Sequence, residues 1–272
     1  MTIHRFLIKQ EQIDLERGLV TLADLKQVTQ IGKVLRLSTG SQIEVLDQSQ
    51  TVYRIKLTEV GKQSVTGEIL SSCKTDKKTA IAITVFLPLL KGGNFESALS
   101  KLTEIGVDKI IPIVTERTVV KLAQTTAKAD DKMRRWMSIV AEATEQCERV
   151  RPPQVVNAQT FSKALNDLRK AGNAGVTFIC AERSQAPHLI TILYKRLAEP
   201  ASPVIPPSDI SIVIGPEGGF TQQEIEEAIS LGCVACRLGD TILKAETAAT
   251  VAAALVASFG EILWSEARIS GR

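Results

Sequence analysis

The sequence predicts an α/β chain whose sheet is largely parallel, preceded by a small all-β region. Beyond residue 80, short apolar runs alternate with segments whose apolar residues recur at helical spacing, as in a parallel sheet with helices on its faces. Before residue 73, short runs of alternating apolar and polar residues follow one another, a pattern typical of a small barrel or sandwich. The polar stretch 71–79, SSCKTDKKT, separates the two regions.

Composition indicates an ordinary globular protein with enough apolar residues for a sizeable core. The chain has 272 residues, of which 44% are hydrophobic and 23% are charged. Its net charge of +3 permits an RNA partner without requiring one. No apolar run approaches the roughly 18–20 residues that span a bilayer, and the first residues lack the apolar core of a signal peptide. We therefore expect a cytoplasmic protein that does not enter a membrane.

Cysteine and histidine usage argues against a metal centre or a disulfide framework. The five cysteines are odd in number and scattered along the chain. Cys233 and Cys236 form a C-x-x-C, which is found in redox and zinc sites. Both fall in a predicted strand, where residues three apart face opposite sides, and no second pair completes four ligands. Because His4 and His188 are the two histidines, a histidine-based triad or metal site is not expected.

The all-β region contains four predicted strands. These are residues 33–37, 42–47, an alternating segment around Tyr53, Ile55 and Leu57, and residues 64–70, with a turn at 38–41. Their polar faces carry Arg36, Arg54 and Lys56, and Arg5 lies at the start of the region. These cations form either an RNA-binding face or an ordinary solvated surface, and residue types alone favour the solvated surface.

The α/β region alternates predicted strands with predicted helices. The strands are 81–90, 109–114, 176–181, 212–214 and 233–238. The first predicted helix carries Phe95, Leu99 and Leu102 on one face and ends at Gly106. Another begins at a Thr221–Glu224 capping box and ends at Gly232. The remaining predicted helices are 130–148, 161–171 (which ends at Gly172), 188–198 and 245–259. A proline-rich connection covers 200–207.

Three charged residues share one face at the end of the predicted helix 130–148. Glu142, Glu145 and Arg149 are related by i+3 and i+4 spacings. They form either a surface ion pair or a polar cluster that faces a site, and the spacing leaves both interpretations open.

Two successive strands near the C-terminus both end in glycine loops. Residues 212–214 form an apolar run that ends at Gly215, and residues 233–238 form another that ends at Gly239. In open α/β sheets, ligands bind where such loops gather at the carboxyl ends of the strands. The loops match neither a dinucleotide fingerprint nor a phosphate loop. They suit a ligand read by main-chain groups, and a structural turn is an equal alternative.

The residues of these loops resemble a known family. GPEGGFTQQE, followed by LGDTILKAETAA, is similar to the signature of the RsmE-type methyltransferases of the SPOUT class. The resemblance extends over nearly the whole chain, through His4-Arg5-Phe6, Lys91 with Lys101 and Glu104, Glu116-Arg117, and the E-x-x-E-Q-x-x-R helix from Glu142 to Arg149. One position departs from the pattern. The family generally has Arg where this chain has Lys244, which keeps the positive charge without the planar bidentate fork.

The resemblance implies a fold and an activity. It implies a PUA-like RNA-binding β-barrel in residues 1–73 and a SPOUT methyltransferase domain in residues 74–272, whose C-terminal part forms a trefoil knot. It also implies a homodimer without metal that transfers methyl from S-adenosylmethionine to N3 of a uridine in 16S ribosomal RNA of the small subunit. Two alternatives stay open: a SPOUT methyltransferase acting on another RNA or base position, and a non-catalytic RNA-binding module.

The resemblance also assigns the site residues. Cofactor binding is expected at Ala181, Glu182, Gly215, Pro216, Glu217, Gly218, Gly219, Leu238, Gly239, Ile242, Leu243 and Thr247. RNA binding is expected at Arg5, Arg36, Arg54, Arg117 and Arg149. Lys244 and Arg149 are the expected catalytic cations, because negative charge spreads to the uridine carbonyl oxygens when the N3 proton leaves. Glu217 or Glu246 is expected to orient the base or to accept that proton.

Overall fold

The computed structural model describes residues 3–47, 49, 51–74, 81–122, 125–170, 175–182, 185–198 and 209–269. The chain forms two compact units, one from residues 1–78 with 144–151 and the other from 79–143 with 152–272. The short segment 144–151 therefore joins the first unit, although it lies within the range that the sequence assigned to the second domain. The predicted helix end at Gly172 and the proline-rich connection 200–207 lie outside the described residues.

The first unit is built on one six-stranded sheet. Its strands are β1 (Arg5–Leu7), β2 (Ile13–Asp14), β3 (Leu19–Leu22), β4 (Gln42–Leu46), β5 (Thr51–Val60) and β6 (Val65–Lys74). The order is β1-β4-β5-β6-β3-β2, and neighbours run antiparallel except β1 and β4, which are parallel. On β5, Tyr53, Ile55 and Leu57 are buried while Arg54 and Lys56 are exposed, which confirms the predicted alternation.

The predicted strand at residues 33–37 is wrong, because this part of the chain continues a helix. The helical elements are a short 3-10 turn (Gln10–Gln12), α1 (Leu25–Thr29) and a π-helical turn (Gln30–Val34). Asp24 caps α1, since its carboxylate accepts a hydrogen bond from a backbone N–H of the first turn at 2.8 Å. Val28 and Ile31 are both buried. Residues three apart lie on the same face of a helix, so burial of both Val28 and Ile31 favours a helix that continues into the π-helical turn. The predicted strand residues Lys33 and Val34 are part of that turn.

Side chains cover the outer edge of strand β1. The Leu7 N–H donates to Glu145 Oε1 at 2.8 Å, and the Leu7 carbonyl accepts from Gln27 Nε2 at 2.7 Å. Gln27 also donates to Glu145 Oε1, at 3.1 Å. Glu145 belongs to the segment 144–151, so this carboxylate attaches the segment to the edge strand of its unit. The sequence had suggested either a surface ion pair or a polar cluster facing a site for Glu142, Glu145 and Arg149, and neither includes this bond of Glu145 to an edge strand.

Two arginines on the strands that flank β4 share the carboxylate of one β4 residue. Arg5, Glu44 and Arg54 lie in register on β1, β4 and β5. Arg5 Nη2 is 2.7 Å from Glu44 Oε2, and Arg54 Nη2 is 3.2 Å from Glu44 Oε1. Arg5 also donates to the carbonyl of Glu148. Two of the arginines predicted to bind RNA are therefore held by intramolecular bonds on this face of the sheet.

The second unit is a parallel sheet between helices. Its strands are β7 (Ala82–Pro88), β8 (Lys109–Val114), β9 (Gln154–Val155), β10 (Gln159–Thr160), β11 (Val176–Cys180), β12 (Asp209–Ile214) and β13 (Val234–Cys236). Its helices are α2 (Asn94–Ile105), α3 (Thr126–Gln146), α4 (Phe161–Lys170), α5 (Leu189–Ala198), α6 (Gln222–Ser230) and α7 (Ala245–Ile269), and the last turn of α3 lies in the segment 144–151. The strand order is β10-β8-β7-β12-β11-β13, with β9 also paired to β8. All these pairings are parallel, which confirms the predicted α/β class.

Both faces of the parallel sheet are buried, as the continuous apolar runs of its strands predict. One core contains Val85, Phe178, Ile212 and Cys236 with residues of α2 and α7. The other contains Phe86, Ile179, Val213 and Cys233 with residues of α4 and α6. Each large apolar side chain that is fully buried here contributes about 1.5–3 kcal/mol. Cys233 and Cys236 lie in opposite cores, as predicted.

Helix α7 is apolar because one of its faces lies in the core. Ala249, Ala252, Ala253 and Val256 are completely buried. Within the described ranges, Ala245–Ile262 is long and apolar enough to cross a membrane by length and composition, so the expectation that no apolar run approaches this length is wrong for this helix. Burial of the alanine face accounts for that composition, since small side chains let the helix approach the sheet closely.

Glu224 joins the start of α6 to the loop that follows β8. Its Oε2 accepts from the Thr221 N–H at 2.9 Å, and Thr221 Oγ1 accepts from the Glu224 N–H at 3.2 Å, which confirms the predicted capping box. Its Oε1 accepts from the Glu116 N–H at 2.8 Å. Only 8% of Glu224 is exposed, so water competes weakly for these bonds.

We expect Glu44 to stabilise the first unit in a pH-dependent way. Burial raises the pKa of this carboxyl, but hydrogen bonds from Arg5 and Arg54 and their charges outweigh burial and hold its pKa below the ordinary value. A carboxyl with a lower pKa in the folded state stabilises the fold above its unfolded pKa, and this stability is lost as the pH falls through the folded pKa. The Glu44→Gln variant should therefore be less stable by about 1–2 kcal/mol at neutral pH.

The measurement is urea unfolding of both proteins between about pH 7 and about pH 3. The difference should shrink on acidification. Glu68→Gln, at an exposed glutamate on β6, is the matched control and should change little at any pH. A Glu44→Gln difference that stays constant across the range would refute the assignment.

We expect Glu224→Ala to destabilise the second unit by about 1–2 kcal/mol, because it removes a helix cap and releases the Glu116 N–H. The control is Glu226→Ala on the same helix, where an exposed carboxylate accepts a side-chain hydrogen bond from Gln222. Thermal unfolding measures both variants. Equal melting temperatures for the two variants would show that the buried bonds of Glu224 contribute nothing.

Candidate functional site

A cleft opens where three parallel strands of the second unit end. The strands β11, β12 and β13 finish in register, since Cys180 lies opposite both Ile214 and Cys236. The cleft is lined by Cys180, Ala181, Glu182, Ile214, Gly215, Arg237, Leu238, Gly239, Thr241, Leu243 and Ala248. It therefore lies at the carboxyl ends of the strands, where the two glycine loops were predicted to meet.

The lining includes half of the residues predicted to bind the cofactor. Ala181, Glu182, Gly215, Leu238, Gly239 and Leu243 border the cleft. Pro216, Glu217, Gly218, Gly219, Ile242 and Thr247 are not among its lining residues, and their assignment stays a prediction. Pro216 is buried, whereas Ile242 and Thr247 are exposed.

Sequence reasoning missed five lining residues, namely Cys180, Ile214, Arg237, Thr241 and Ala248. Cys180 and Ile214 are the last residues of strands whose loops were predicted to bind, so strand ends could have revealed them. Ala248 lies three residues after Ala245, on the inward face of α7, which helical spacing could have shown. Thr241 lies within the loop 238–243, which was predicted to hold the cofactor. For Arg237, no sequence signal distinguishes a lining residue from an ordinary loop residue.

The glycines of the loop Gly215–Gly219 are required by its shape. Gly219 has φ of 69°, and its N–H donates to the Pro216 carbonyl at 2.8 Å, closing a tight turn. A Cβ on Gly215 would lie 3.1 Å from the Phe220 ring. A Cβ on Gly218 would lie 3.0 Å from the Arg117 Cβ. The loop is consequently packed between its own phenylalanine and the loop after β8.

Two further loops contact this one. Arg117 Nη1 donates to the Gly218 carbonyl at 3.1 Å, and the Lys91 N–H donates to Glu217 Oε1 at 3.4 Å. Lys91 follows β7, which is next to β12, and Arg117 follows β8, which is next to β7. The structure therefore brings Arg117 and Glu217, two predicted site residues, to one edge of the sheet beside the cleft loops.

Lys244 is exposed and directly precedes α7, which begins at Ala245. Its neighbour Leu243 lines the cleft, and its own carbonyl accepts the Ala248 N–H at 2.8 Å. Glu246 follows in the first turn of the helix and is half-buried. This places the Lys244 backbone at the border of the cleft.

The other predicted RNA-binding and catalytic residues belong to the first unit. Arg149 lies in the segment 144–151, and its catalytic role stays a prediction. Arg5 and Arg54 bond to Glu44. Arg36 is exposed, with a left-handed φ of 53°.

One buried cysteine, Cys180, lines the cleft. The Cys180 and Cys236 Sγ atoms lie 3.8 Å apart in adjacent strands. The hydrogen bond to Cys236 and burial raise the pKa of Cys180 well above its usual range. Burial raises the pKa of Cys233 to about 11. Cys180 and Cys233 therefore stay protonated near neutral pH and are unreactive, because the thiolate is the reactive form.

Comparison with known proteins gives consistent matches. The family model described as RNA methyltransferase domain matches residues 77–257, and that described as RNA methyltransferase PUA domain matches residues 31–70. The ribosomal RNA small subunit methyltransferase E of Synechocystis is 32% identical over 253 residues, which cover 93% of this chain and 77% of that protein. The Bacillus subtilis protein of the same name is 27% identical, covering 96% of this chain and 98% of that protein.

A solved structure has the same fold. The crystal structure of a ribosomal RNA small subunit methyltransferase E from Neisseria gonorrhoeae bound to S-adenosyl methionine matches with a TM-score of 0.77 and 28% identity. It covers 94% of this chain and 98% of that chain. The resemblance seen in the glycine-loop residues is thereby confirmed over both units, and the chain belongs to the RNA methyltransferase family that contains the ribosomal RNA small subunit methyltransferases E.

Proposed function

We propose that this protein methylates N3 of a uridine in 16S ribosomal RNA, using S-adenosylmethionine held in the cleft of the second unit. The observation that carries the proposal is the cleft itself. Three loops from strands that end in register form it, in a chain of the RNA methyltransferase family. The Neisseria gonorrhoeae relative, of the same fold, is bound to S-adenosyl methionine.

The residues of the cleft fit the chemistry of this cofactor. Ala181, Gly215 and Gly239 bring backbone groups to the lining with little side chain in the way, which suits an adenine edge. Leu238 and Leu243 add apolar surface. Arg237 and Glu182 provide one charge of each sign, matching the carboxylate and the ammonium of the methionine part.

The remaining chemistry falls to charged side chains around the cleft. The cofactor supplies a methyl group already activated by its sulfonium, so the protein chiefly positions the base and stabilises charge. The Lys244 ammonium and the Arg117 guanidinium would stabilise the negative charge on the uridine carbonyl oxygens as the N3 proton leaves. Arg149, in the first unit, is the further predicted catalytic cation. Glu217 or Glu246 would orient the base or accept that proton.

Further parts of the proposal concern assembly and compartment. We expect a cytoplasmic homodimer acting on the small ribosomal subunit, with the PUA-like unit as the RNA-binding part. The trefoil knot is supported by the path of the chain, since β13 lies at the sheet edge whereas α7, which follows it, packs on β7 and β12.

The substrate is tested by mass analysis of ribosomal RNA from cells that lack this protein. We expect one N3-methyluridine to disappear from 16S RNA, and purified protein with S-adenosylmethionine to restore it on small subunits from those cells. Loss of a different modification would identify another RNA or base position as the target. An unchanged map, together with no cofactor binding by calorimetry, would favour the non-catalytic RNA-binding alternative.

Lys244 is tested by measuring cofactor affinity and methyl transfer separately. We expect Lys244→Ala to slow single-turnover transfer by about 100-fold or more, because a cation that stabilises developing charge acts mainly in the transition state. The affinity for S-adenosylmethionine should change little. Lys244→Arg keeps the charge and is the matched control, which should retain most of the activity. Normal turnover of the alanine variant would remove Lys244 from the mechanism.

A further inference from the structure

We propose that His188 is a positioning residue that holds the glycine loop after β13 in its cofactor-binding shape. The inference rests on the proposed function, because it takes this cleft as the S-adenosylmethionine site. His188 is not among the residues that line the cleft, and it acts through one that does, Leu238.

The backbone around His188 rejoins the sheet beside this loop. The chain leaves β11 at Ala181, contributes Glu182 to the cleft, and returns to form a parallel bridge between His188 and Arg237. The Arg237 N–H donates to the Pro187 carbonyl at 3.1 Å, and the Leu189 N–H donates to the Arg237 carbonyl at 2.9 Å. The loop after β13 is thus paired with residues 187–189 for one residue beyond the strand.

The His188 imidazole adds one more hydrogen bond to the loop, to the peptide group that follows Arg237 and Leu238. His188 Nε2 lies 2.6 Å from the Leu238 carbonyl oxygen, which can only accept. Nε2 therefore carries the proton and donates it. The Ile190 N–H donates to Nδ1 at 3.2 Å, so Nδ1 is the unprotonated acceptor. The neutral imidazole satisfies both groups at once, capping α5 with one nitrogen and holding the loop with the other.

The peptide group between Leu238 and Gly239, which His188 bonds, lies where the backbone needs a hydrogen bond from outside the loop to fix its orientation. Leu238 and Gly239 both line the cleft, and a Cβ on Gly239 would meet nothing within 4 Å. At Gly239, neither a side chain nor a neighbour at the Cβ position therefore restricts the backbone. A trans peptide is planar, so fixing the Leu238 carbonyl toward His188 fixes the Gly239 N–H on the opposite side. His188 consequently sets the orientation of a main-chain donor and of the Leu238 side chain in the lining.

Two substitutions separate the roles of the two nitrogens. In His188→Asn, the side-chain oxygen takes the place of Nδ1 and can keep the cap on α5, but no donor reaches Leu238. In His188→Gln, the amide nitrogen takes the place of Nε2 and can still donate to Leu238, but the cap is lost. A merely structural histidine would make both variants behave alike in cofactor binding.

We expect His188→Asn to bind S-adenosylmethionine about tenfold more weakly by calorimetry, as loss of one shielded hydrogen bond implies. Its KM for the cofactor should rise in proportion, while kcat at saturating cofactor stays unchanged. His188→Gln should bind within about threefold of the wild type and should melt at a lower temperature. If His188→Asn binds S-adenosylmethionine as tightly as the wild type does, the proposed role of His188 is overturned and the proposed function still stands. Failure of the wild type to bind would overturn the proposed function, and the His188 role with it.

A measurement on the unmutated His188 does not depend on how the His188 variants fold. The sequence contains His4 and His188, so a His4→Gln background leaves one imidazole to observe by nitrogen NMR. We expect the neutral tautomer with the proton on Nε2, and a shift of its signal on titration with S-adenosylmethionine. The proton on Nδ1 in both free and bound protein would contradict the proposal.

Discussion

Parallel pairing of β11, β12 and β13 determines where the loops that line the cleft leave the sheet. Cys180 stands opposite Ile214 on one side and Cys236 on the other, so the three strands end at one level. The following residues, Ala181, Gly215 and Arg237, therefore leave the sheet side by side and line one cleft. Adjacent strands are about 4.8 Å apart, which sets the spacing of these loops before any side chain contributes. The burial of both sheet faces makes this spacing rigid.

Beyond the strand ends, where the hydrogen bonds of the sheet stop, single side chains hold the loops by bonding to main-chain groups. Glu224 bonds two loop N–H groups through its two oxygens, and His188 bonds one carbonyl and one N–H through its two nitrogens. Glu145 does the same for the first unit by accepting from the Leu7 N–H. In each case a group with two bonding positions connects segments far apart in sequence. The loops themselves can then stay rich in glycine, as close approach of a ligand requires.

The sequence predicted local features well and long-range ones poorly, for physical reasons. The capping box at Thr221 and the turn at Gly219 depend on neighbouring residues, so their patterns are visible in the chain. The error at 33–37 arose because alternation there competes with a helix begun upstream by Asp24, and the burial of Ile31 decides between them. Arg237 and His188 derive their roles from pairing between loops. Arg5 and Arg54 looked like free cations because their partner Glu44 comes from another strand.

The coverage of β1 has a consequence for where this chain can be divided. The outward N–H and carbonyl of Leu7 bond to the side chains of Glu145 and Gln27. A fragment that ends near residue 78 would keep Gln27 but lose Glu145, leaving the Leu7 N–H open on an edge strand. Open strand edges recruit further strands from other molecules. An expression fragment of the N-terminal unit alone would therefore tend to self-associate, and adding residues 144–151 through a short linker would restore its solubility.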